Sequence, residues 1–324
     1  VFRCLAITKA LSKTFKNSEI TFIIEDAEPG VSVVKKGHSG TVIVVPPASR
    51  SSKALWLSEK WDILIIDQLS MPKTFLASCR KRASCLVVFD DVEEGRWLSD
   101  IAVNALYKND VCRPDNVSTK NLCGFDYLVL DPKFADVAKH SAGAVSRILL
   151  TQGGSDTYGL IPELARSLGE LISTYPDLSL DIHTGPAFRF EAELREAIAS
   201  STADIQWHSN IADMATFCSS IDLAVAAGGI MACELAAVGI PLVLITGEEQ
   251  ELETMTALAE AGAAVNLGDF GAEGAIQTQL SVKHLIPDIA RRGAMSRAGR
   301  SAVDGLGGDR IVEAIRVELE GQIG

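Results

Sequence analysis

Two glycine pairs in the second half of the chain could provide an anion-binding backbone. Gly153 and Gly154, followed by Ser155, come after the apolar run "RILLTQ", and Gly228 and Gly229 come after "DLAVAA". Each pair is predicted to join a buried strand to a helix. Because glycine has no Cβ, its N–H groups can approach a phosphate, and a helix beginning there adds a partial positive charge. A tight turn without a ligand explains either pair alone equally well, and neither has GxGxxG or Walker spacing.

Glu234 makes a nucleotide site the better interpretation of the second pair. It follows Gly229 by five residues, about one turn into the predicted helix, so its side chain leans back toward the helix start. A carboxylate can accept hydrogen bonds from both hydroxyls of a cis-diol such as ribose. The alternative is a glutamate that only stabilises the helix start, an effect of about 0.3–1 kcal/mol. We favour phosphate on the glycines and ribose on Glu234.

Other polar residues are weaker candidates. Asp90 and Asp91 could act as paired carboxylates, but they more simply end a strand and tether the next loop. His183 and His208 lack metal-ligand spacing and are predicted to be surface or capping residues. The acidic pair at 248–249 is predicted to be a solvated loop.

Short runs rich in valine and isoleucine alternate with predicted helices along the first half of the chain. Predicted strands cover 19–26, 40–46, 61–67, 85–91 and 125–132. Apolar runs of this length, separated by helices, are typical of a parallel sheet covered on both faces.

The same pattern restarts after a predicted linker at 133–145. Predicted strands cover 146–154, 178–185, 203–209, 222–229, 241–247 and 263–268, and a last helix covers 309–322. The sequence therefore predicts an α/β protein with two Rossmann-like, doubly wound parallel-sheet domains, at 1–140 and 146–307, that face each other across a cleft. The terminal helix, within 308–324, is predicted to cross back to the N-terminal domain, and that domain's first strand is predicted to lie before Val1.

Composition excludes several classes of function. The 324 residues are 47% hydrophobic and 22% charged, with a net charge of −12 and no basic run, so nucleic acid is a poor partner. Seven scattered cysteines without a CxxC pair indicate a reduced, cytoplasmic protein without a zinc site. No apolar run reaches about 18 residues, which argues against membrane insertion. A monomer or weak dimer is expected.

The segment "DMATFCSSIDLAVAAGGIMACELAAVGIPLVLITGEEQE" resembles the nucleotide-binding region of GT-B-fold enzymes that handle UDP-sugars, including the UDP-GlcNAc transferase of peptidoglycan lipid synthesis. "ILIID", "VVFDD", "ILLTQGGSD" and "GGDRIVEAI" are similar, in the same order, to segments of the UDP-sugar hydrolases of pseudaminic acid synthesis. Those hydrolases release 2,4-diacetamido-2,4,6-trideoxy-altrose from UDP. The resemblance covers nearly the whole chain. It implies a GT-B fold and a UDP-sugar substrate, and it implies that no metal or other cofactor is needed.

The resemblance also assigns roles to the glycine loops. Gly153, Gly154 and Ser155 would face the sugar and phosphates. Gly228 and Gly229 would hold the diphosphate.

Three further residues receive roles from the same resemblance. Ile211 would offer backbone groups to the uracil edge, Glu234 would hold the ribose, and Gln250 would reach the sugar. Ile230 departs from the family, where a serine commonly follows the two glycines, so a hydroxyl donor is lost.

The N-terminal motifs depart further from the hydrolases. The family segment GxGHVxRCL contains the expected catalytic histidine; here Arg3 and Cys4 match its end, and the histidine would lie before Val1. The segment Asp67-Gln68-Leu69 stands where the hydrolases have Asp-His-Tyr, so Asp67 is the remaining catalytic candidate and equally a candidate helix cap. Three functions stay open: a UDP-sugar hydrolase, a glycosyltransferase of similar fold, and a non-catalytic nucleotide-sugar binding protein.

Overall fold

The computed structural model describes residues 1–28, 30–46, 59–90, 93–106, 118–137, 143–209 and 211–322. The chain divides into two compact units. The first unit combines Val1–Pro132 with Gly305–Gly324, and the second is the continuous segment Lys133–Asp304.

The described residues contain twelve strands and twelve α-helices. The strands are β1 Thr21–Glu25, β2 Thr41–Val45, β3 Trp61–Asp67, β4 Ala83–Phe89, β5 Ile101–Asn104, β6 Lys120–Cys123, β7 Arg147–Thr151, β8 Ser179–His183, β9 Asp204–His208, β10 Leu223–Ala226, β11 Leu242–Thr246 and β12 Ala264–Asp269. The helices are α1 Phe2–Thr14, α2 Gly30–Gly37, α3 Lys73–Arg80, α4 Lys133–Asp136, α5 Leu160–Ile172, α6 Glu191–Ala199, α7 Met214–Cys218, α8 Ile230–Val238, α9 Leu252–Glu260, α10 Gly274–Leu285, α11 Ile289–Ala302 and α12 Gly307–Gly321.

The first unit has two parallel sheets in the described residues. β1 pairs with β2, and a second sheet has the order β3-β4-β5-β6. α1 and α12 pack together over this second sheet, with Ile7 and Ile311 in one core cluster with Val87 and Phe89. The last helix of the chain therefore completes the core of the first unit.

The second unit has one six-stranded parallel sheet of order β12-β11-β10-β7-β8-β9. The chain runs outward from β7 to β9, then returns to place β10 beside β7 and runs outward the other way. Leu149, Leu150, Ala224 and Val225 of the two central strands are fully buried, as expected for strands covered on both faces. The order of the strands therefore reverses between β7 and β10.

The strand predicted at 125–132 is wrong. Phe125–Tyr127 forms a single 3₁₀ turn, whose amides and those that follow bond locally, including Leu128 N–H to the Phe125 carbonyl. The apolar residues after it are buried against the start of α12, where a Cβ on Gly307 would lie 2.3 Å from the Leu128 carbonyl oxygen. Burial by a helix, and not strand pairing, explains this apolar run. The neighbouring strand is β6, whose sequence "KNLC" carries little strand signal.

Candidate functional site

The site is built at the carboxyl ends of β7 and β10. Thr151 and Ala226, the last residues of these strands, are direct partners in the ladder, so the loops carrying Gly153 and Gly228 leave the sheet side by side. In open parallel sheets, ligands bind beyond the carboxyl ends of the strands at the point where strand order reverses. The structure thus brings the two predicted glycine pairs together at this point.

The loop after β7 leaves its glycine backbone open. Gly153 has φ of +71°, and an added Cβ on either Gly153 or Gly154 would meet no atom within 4 Å. The amides at the start of α5, by contrast, are already taken. The carboxylate of Asp156 accepts from the N–H groups of Leu160 and Ile161, at 2.8 and 3.0 Å. Only the glycine stretch, and not the α5 terminus, remains accessible to an anion.

Burial raises the pKa of Asp156, and the amide hydrogen bonds oppose that rise by favouring the charged form. Asp156 itself has a positive φ of +45°. The capped start of α5 therefore holds a strained, buried acidic residue directly after the open glycines.

Gln152 places an unused donor beside this loop. Its side chain is 8% exposed, and Nε2 is buried with no hydrogen-bond partner among the described residues. A buried amide without an acceptor is costly, so it marks a place where a ligand oxygen or a water would be stabilised. Sequence reasoning missed Gln152, because nothing distinguishes it from other polar residues at strand ends.

Close packing requires a glycine at the first position of the second pair. A Cβ on Gly228 would lie 2.5 Å from both the carbonyl oxygen of Glu251 and Cγ of Met255. Gly229 is the N-cap of α8, and Ile230, the first helical residue, is 44% exposed. The backbone of this turn is therefore pressed against the loop that follows β11.

Glu251 brings a carboxylate onto that turn. It accepts a 2.5 Å hydrogen bond from Thr246 Oγ1, and its Oε1 would lie 3.1 Å from a Cβ on Gly229. Burial raises the pKa of Glu251; the Thr246 hydrogen bond opposes the rise, the charge of Glu248 adds to it, and the Gly228 amide favours the charged form. No sequence signal indicates that this residue, 22 positions after Gly229, reaches the glycine pair.

A polar bridge joins the loops after β7 and β11 across the end of β10. Thr157 Oγ1 donates to Glu248 Oε1 at 2.7 Å, and Gln250 Nε2 donates to Glu248 Oε2 at 2.5 Å. Ser155 Oγ lies 3.1 Å from Thr157 Oγ1. Glu248 is therefore an acceptor for two exposed hydrogen bonds, which is compatible with the predicted solvated loop at 248–249. The predicted sugar contact of Gln250 stays a prediction, with its amide held by Glu248.

Glu234 lies half-buried on α8, on the side toward α7. Burial, and after it the charge of Glu234, raises the pKa of the Cys218 thiol on α7 to about 12. Ile211 lies after β9, just before α7, whose start is capped by Asp213 accepting from the Thr216 amide at 3.2 Å. β9, which precedes Ile211, is three strand spacings from β10, so the ends of these two strands lie roughly 14 Å apart along the sheet edge.

The two histidines have structural partners. His208 bonds Asp181 at 2.7 Å, and Arg147 donates to the same carboxylate at 2.8 and 3.0 Å. His183 is buried beside Thr151, which corrects the prediction of a surface or capping residue. Burial, and after it the charge of His208, lowers the pKa of His183 and so favours its neutral form.

Asp67 lies in a compact charged cluster of the first unit. Arg3 pairs with both Asp67 and Asp90, and Cys4 Sγ donates to Asp67 Oδ2 at 3.1 Å. Burial acts to raise the pKa of Asp67, but the hydrogen bonds and charge of Arg3 outweigh it and lower the pKa. Asp67 is therefore a weakly basic anion. Asp90 has φ of +48° and Oδ1 buried without a partner in the described part of the chain; Asp91 lies outside the described residues.

Two kinds of feature are absent from the described ranges. No group of three or more histidine, cysteine, aspartate or glutamate side chains there could hold a metal ion. None of the helices there combines the length and apolar character needed to cross a membrane.

The fold is that of the GT-B glycosyltransferase-like proteins, which confirms the predicted class of two parallel-sheet α/β domains. MurG of Acinetobacter baumannii matches with a TM-score of 0.68 at 14% identity, over 98% of this chain and 95% of that one. CalG4, the calicheamicin glycosyltransferase, matches with a TM-score of 0.60 at 13% identity, over 99% and 95%. MnaA of S. aureus, solved with UDP, matches with a TM-score of 0.59 at 15% identity, over 93% and 97%.

Two curated proteins resemble the chain in sequence. The spore coat polysaccharide biosynthesis protein SpsG of Bacillus subtilis is 25% identical over 274 residues, which are 82% of this chain and 79% of SpsG. The uncharacterised protein MJ1062 of Methanocaldococcus jannaschii is 28% identical over 266 residues, 78% of this chain. The chain spans about half of the length of MJ1062, 54%. No protein-family model matches the sequence.

Proposed function

We propose that the second unit binds the uridine diphosphate part of a UDP-sugar where its strand order reverses. The observation that carries this proposal is the position of the two glycine pairs on adjacent strands, β7 and β10, at that reversal. Gly153 and Gly154 offer open backbone amides, and Gly228 and Gly229 offer the turn that starts α8. Glu234 would accept from the ribose hydroxyls, and Ile211 would contact the uracil edge.

Two observations outside this geometry support a UDP-sugar ligand. The fold is shared with MnaA, which was solved with UDP. The sequence relative SpsG is named for spore coat polysaccharide biosynthesis, a process that consumes activated sugars. Gln152, with its unpartnered donor beside Gly153, adds a further contact for a phosphate or sugar oxygen.

We propose that the reaction is hydrolysis of the UDP-sugar, in nonulosonic acid or surface polysaccharide synthesis. A water oxygen attacks the anomeric carbon and the bond to the β-phosphate oxygen breaks. That oxygen leaves with the electron pair as part of UDP, and the attacking water loses a proton. Asp67 would be a poor acceptor for this proton while it is paired with Arg3, because that pairing lowers the pKa of Asp67. That proton passes to solvent water, and the role of the second unit is to bind and orient the donor.

Release of free UDP separates the functions that the sequence leaves open. The full chain is incubated with a panel of UDP-sugars, with and without saccharide or lipid acceptors, and UDP and free sugar are quantified. Hydrolysis is expected to release both in equal amounts without an acceptor. If UDP is released only when an acceptor is present, the reaction is a sugar transfer and the proposed hydrolysis is wrong. Binding without release in either case would leave a nucleotide-sugar binding protein.

A further inference from the structure

Glu251 already uses part of the backbone that the proposed diphosphate site needs. Its carboxylate lies against the Gly228–Gly229 turn, where the Gly228 amide stabilises its charge and Oε1 comes within 3.1 Å of the Cβ position of Gly229. A phosphate that approaches these amides must share them with this carboxylate or displace it. Either way, two anions meet at the start of α8.

The partners that the structure gives Glu251 do not neutralise it. Thr246 donates from a hydroxyl, and the charged neighbour Glu248 is also an acid, whose charge raises the pKa of Glu251 further. Glu248 in turn bonds Thr157 and Gln250, both neutral. Repulsion between Glu251 and a bound phosphate is therefore not screened by a cation among these contacts.

The edge of the sheet nevertheless has the features of a ligand site, and not only of a capped helix. Gln152 Nε2 is buried without an acceptor in the described part of the chain, and an added Cβ on Gly153 or Gly154 would meet no atom within 4 Å. These neutral donors attract an anion, whereas Glu251 repels one. The balance between them depends on the charge of the phosphate group.

We infer that Glu251 is a specificity-determining residue that favours the diphosphate diester of a UDP-sugar over free UDP. This inference rests on the proposed function. In a UDP-sugar each phosphate carries one negative charge, whereas the terminal phosphate of UDP loses a second proton near pH 6. At pH 7.5 UDP therefore presents one more charge to Glu251. The product of sugar release is held less tightly than the substrate, which lets the site empty after each turnover.

The test compares the affinities of UDP and UDP-N-acetylglucosamine by calorimetry at pH 7.5 and low salt. Glu251→Gln keeps the shape and the acceptor oxygen but removes the charge. We expect it to bind UDP about tenfold more tightly than the wild type and UDP-N-acetylglucosamine by a smaller factor. Glu249→Gln, at an exposed neighbour, makes the same change in net charge and is expected to leave the ratio of the two affinities unchanged.

The outcomes separate the two proposals. If the wild type binds either probe but Glu251→Gln leaves the affinity ratio unchanged, or changes it no more than Glu249→Gln, the specificity role is wrong and the nucleotide site stands. If neither probe binds the wild type or any variant, the proposed function fails and the inference fails with it. Far-UV circular dichroism and the unfolding temperature confirm that each variant is folded.

Discussion

The backbone of Gly154 lies so close to Gly185 that a Cβ on Gly185 would be 2.4 Å from the Gly154 carbonyl oxygen. The same carbonyl accepts from the Ala187 amide at 3.2 Å. The loop after β8 thus supports the loop after β7 from behind, while the other side of Gly154 stays open. Gly185 therefore helps to position the candidate site, although it is not part of that site.

Gly185→Ala is therefore expected to destabilise the protein and to displace the Gly153–Gly154 backbone. Forcing an atom into such a contact costs about 1–3 kcal/mol, and for a domain of this size each 1 kcal/mol lowers the unfolding temperature by about 2–4 °C. Calorimetric unfolding and UDP affinity are both measured. For the unfolding temperature, Gly154→Ala is the control, because its Cβ would meet no atom within 4 Å. Equal unfolding temperatures for the two variants would contradict the close contact.

Glu234→Gln is expected to weaken UDP binding by about 1–3 kcal/mol, because a carboxylate that accepts from two ribose hydroxyls loses its charge-assisted bonds. Glu253→Gln, on the exposed face of the following helix, carries the same change in net charge and should bind UDP like the wild type. Titration with 2′-deoxy-UDP supplies a second measurement, since it should lose less affinity on mutation of Glu234 than UDP does. An unchanged affinity for UDP would remove Glu234 from the proposed site.

Asp67 is expected to make stability depend on pH in the acid range. Its pKa is lower in the folded protein than in the unfolded chain, where it is about 3.9. Its contribution is therefore fully present above about pH 4 and is lost as the pH falls through the lower folded value. Asp67→Asn should be less stable than the wild type at pH 7, and the difference should shrink toward pH 3.

Urea unfolding at a series of pH values measures this difference. Asp309→Asn removes an exposed carboxylate that pairs with Lys13, at 3.4 Å, and is expected to change stability by less than about 1 kcal/mol at every pH. A difference between wild type and Asp67→Asn that grows toward low pH would show that Arg3 does not hold the charged form.

The buried thiols are expected to resist alkylation in the folded protein. Burial raises the pKa of Cys85 and of Cys218 to about 12, and it also raises the pKa of fully buried Cys233. Thiolate is the reactive species, so these residues should label with iodoacetamide only after unfolding. Exposed Cys123 is the internal reference and should label first. Peptide mass spectrometry over a time course gives the order, and early labelling of Cys233 would contradict the packing around α8.

The alternation of strands and helices could be predicted because buried parallel strands have a plain sequence pattern. β7, β8, β10 and β11 fall within their predicted ranges. The order of strands in the sheet is set by crossover connections and has no local sequence signal. That order is what places Gly153 beside Gly228.

The elements and residues that the sequence analysis predicted wrongly or missed have physical causes of the same kind. The apolar run at 128–130 satisfies burial by packing on α12, so its composition could not distinguish a strand from a buried loop. α11 is rich in alanine, glycine and arginine and was not predicted, because its sequence "IARRGAMSRAGRSA" has no clear apolar stripe. Glu251 was one of several acids in "GEEQELE", and only the packing of its loop on Gly228 singles it out.

The interrupted path of the first unit sets an order of assembly on the ribosome. Ile311, Val312 and Ile315 of α12 belong to the same apolar cluster as β4 and β5, yet they are translated about 200 residues later. All of Lys133–Asp304 emerges before them as one uninterrupted stretch. The second unit can therefore acquire its native packing while part of the interior of the first unit is still uncovered, until α12 has left the exit tunnel.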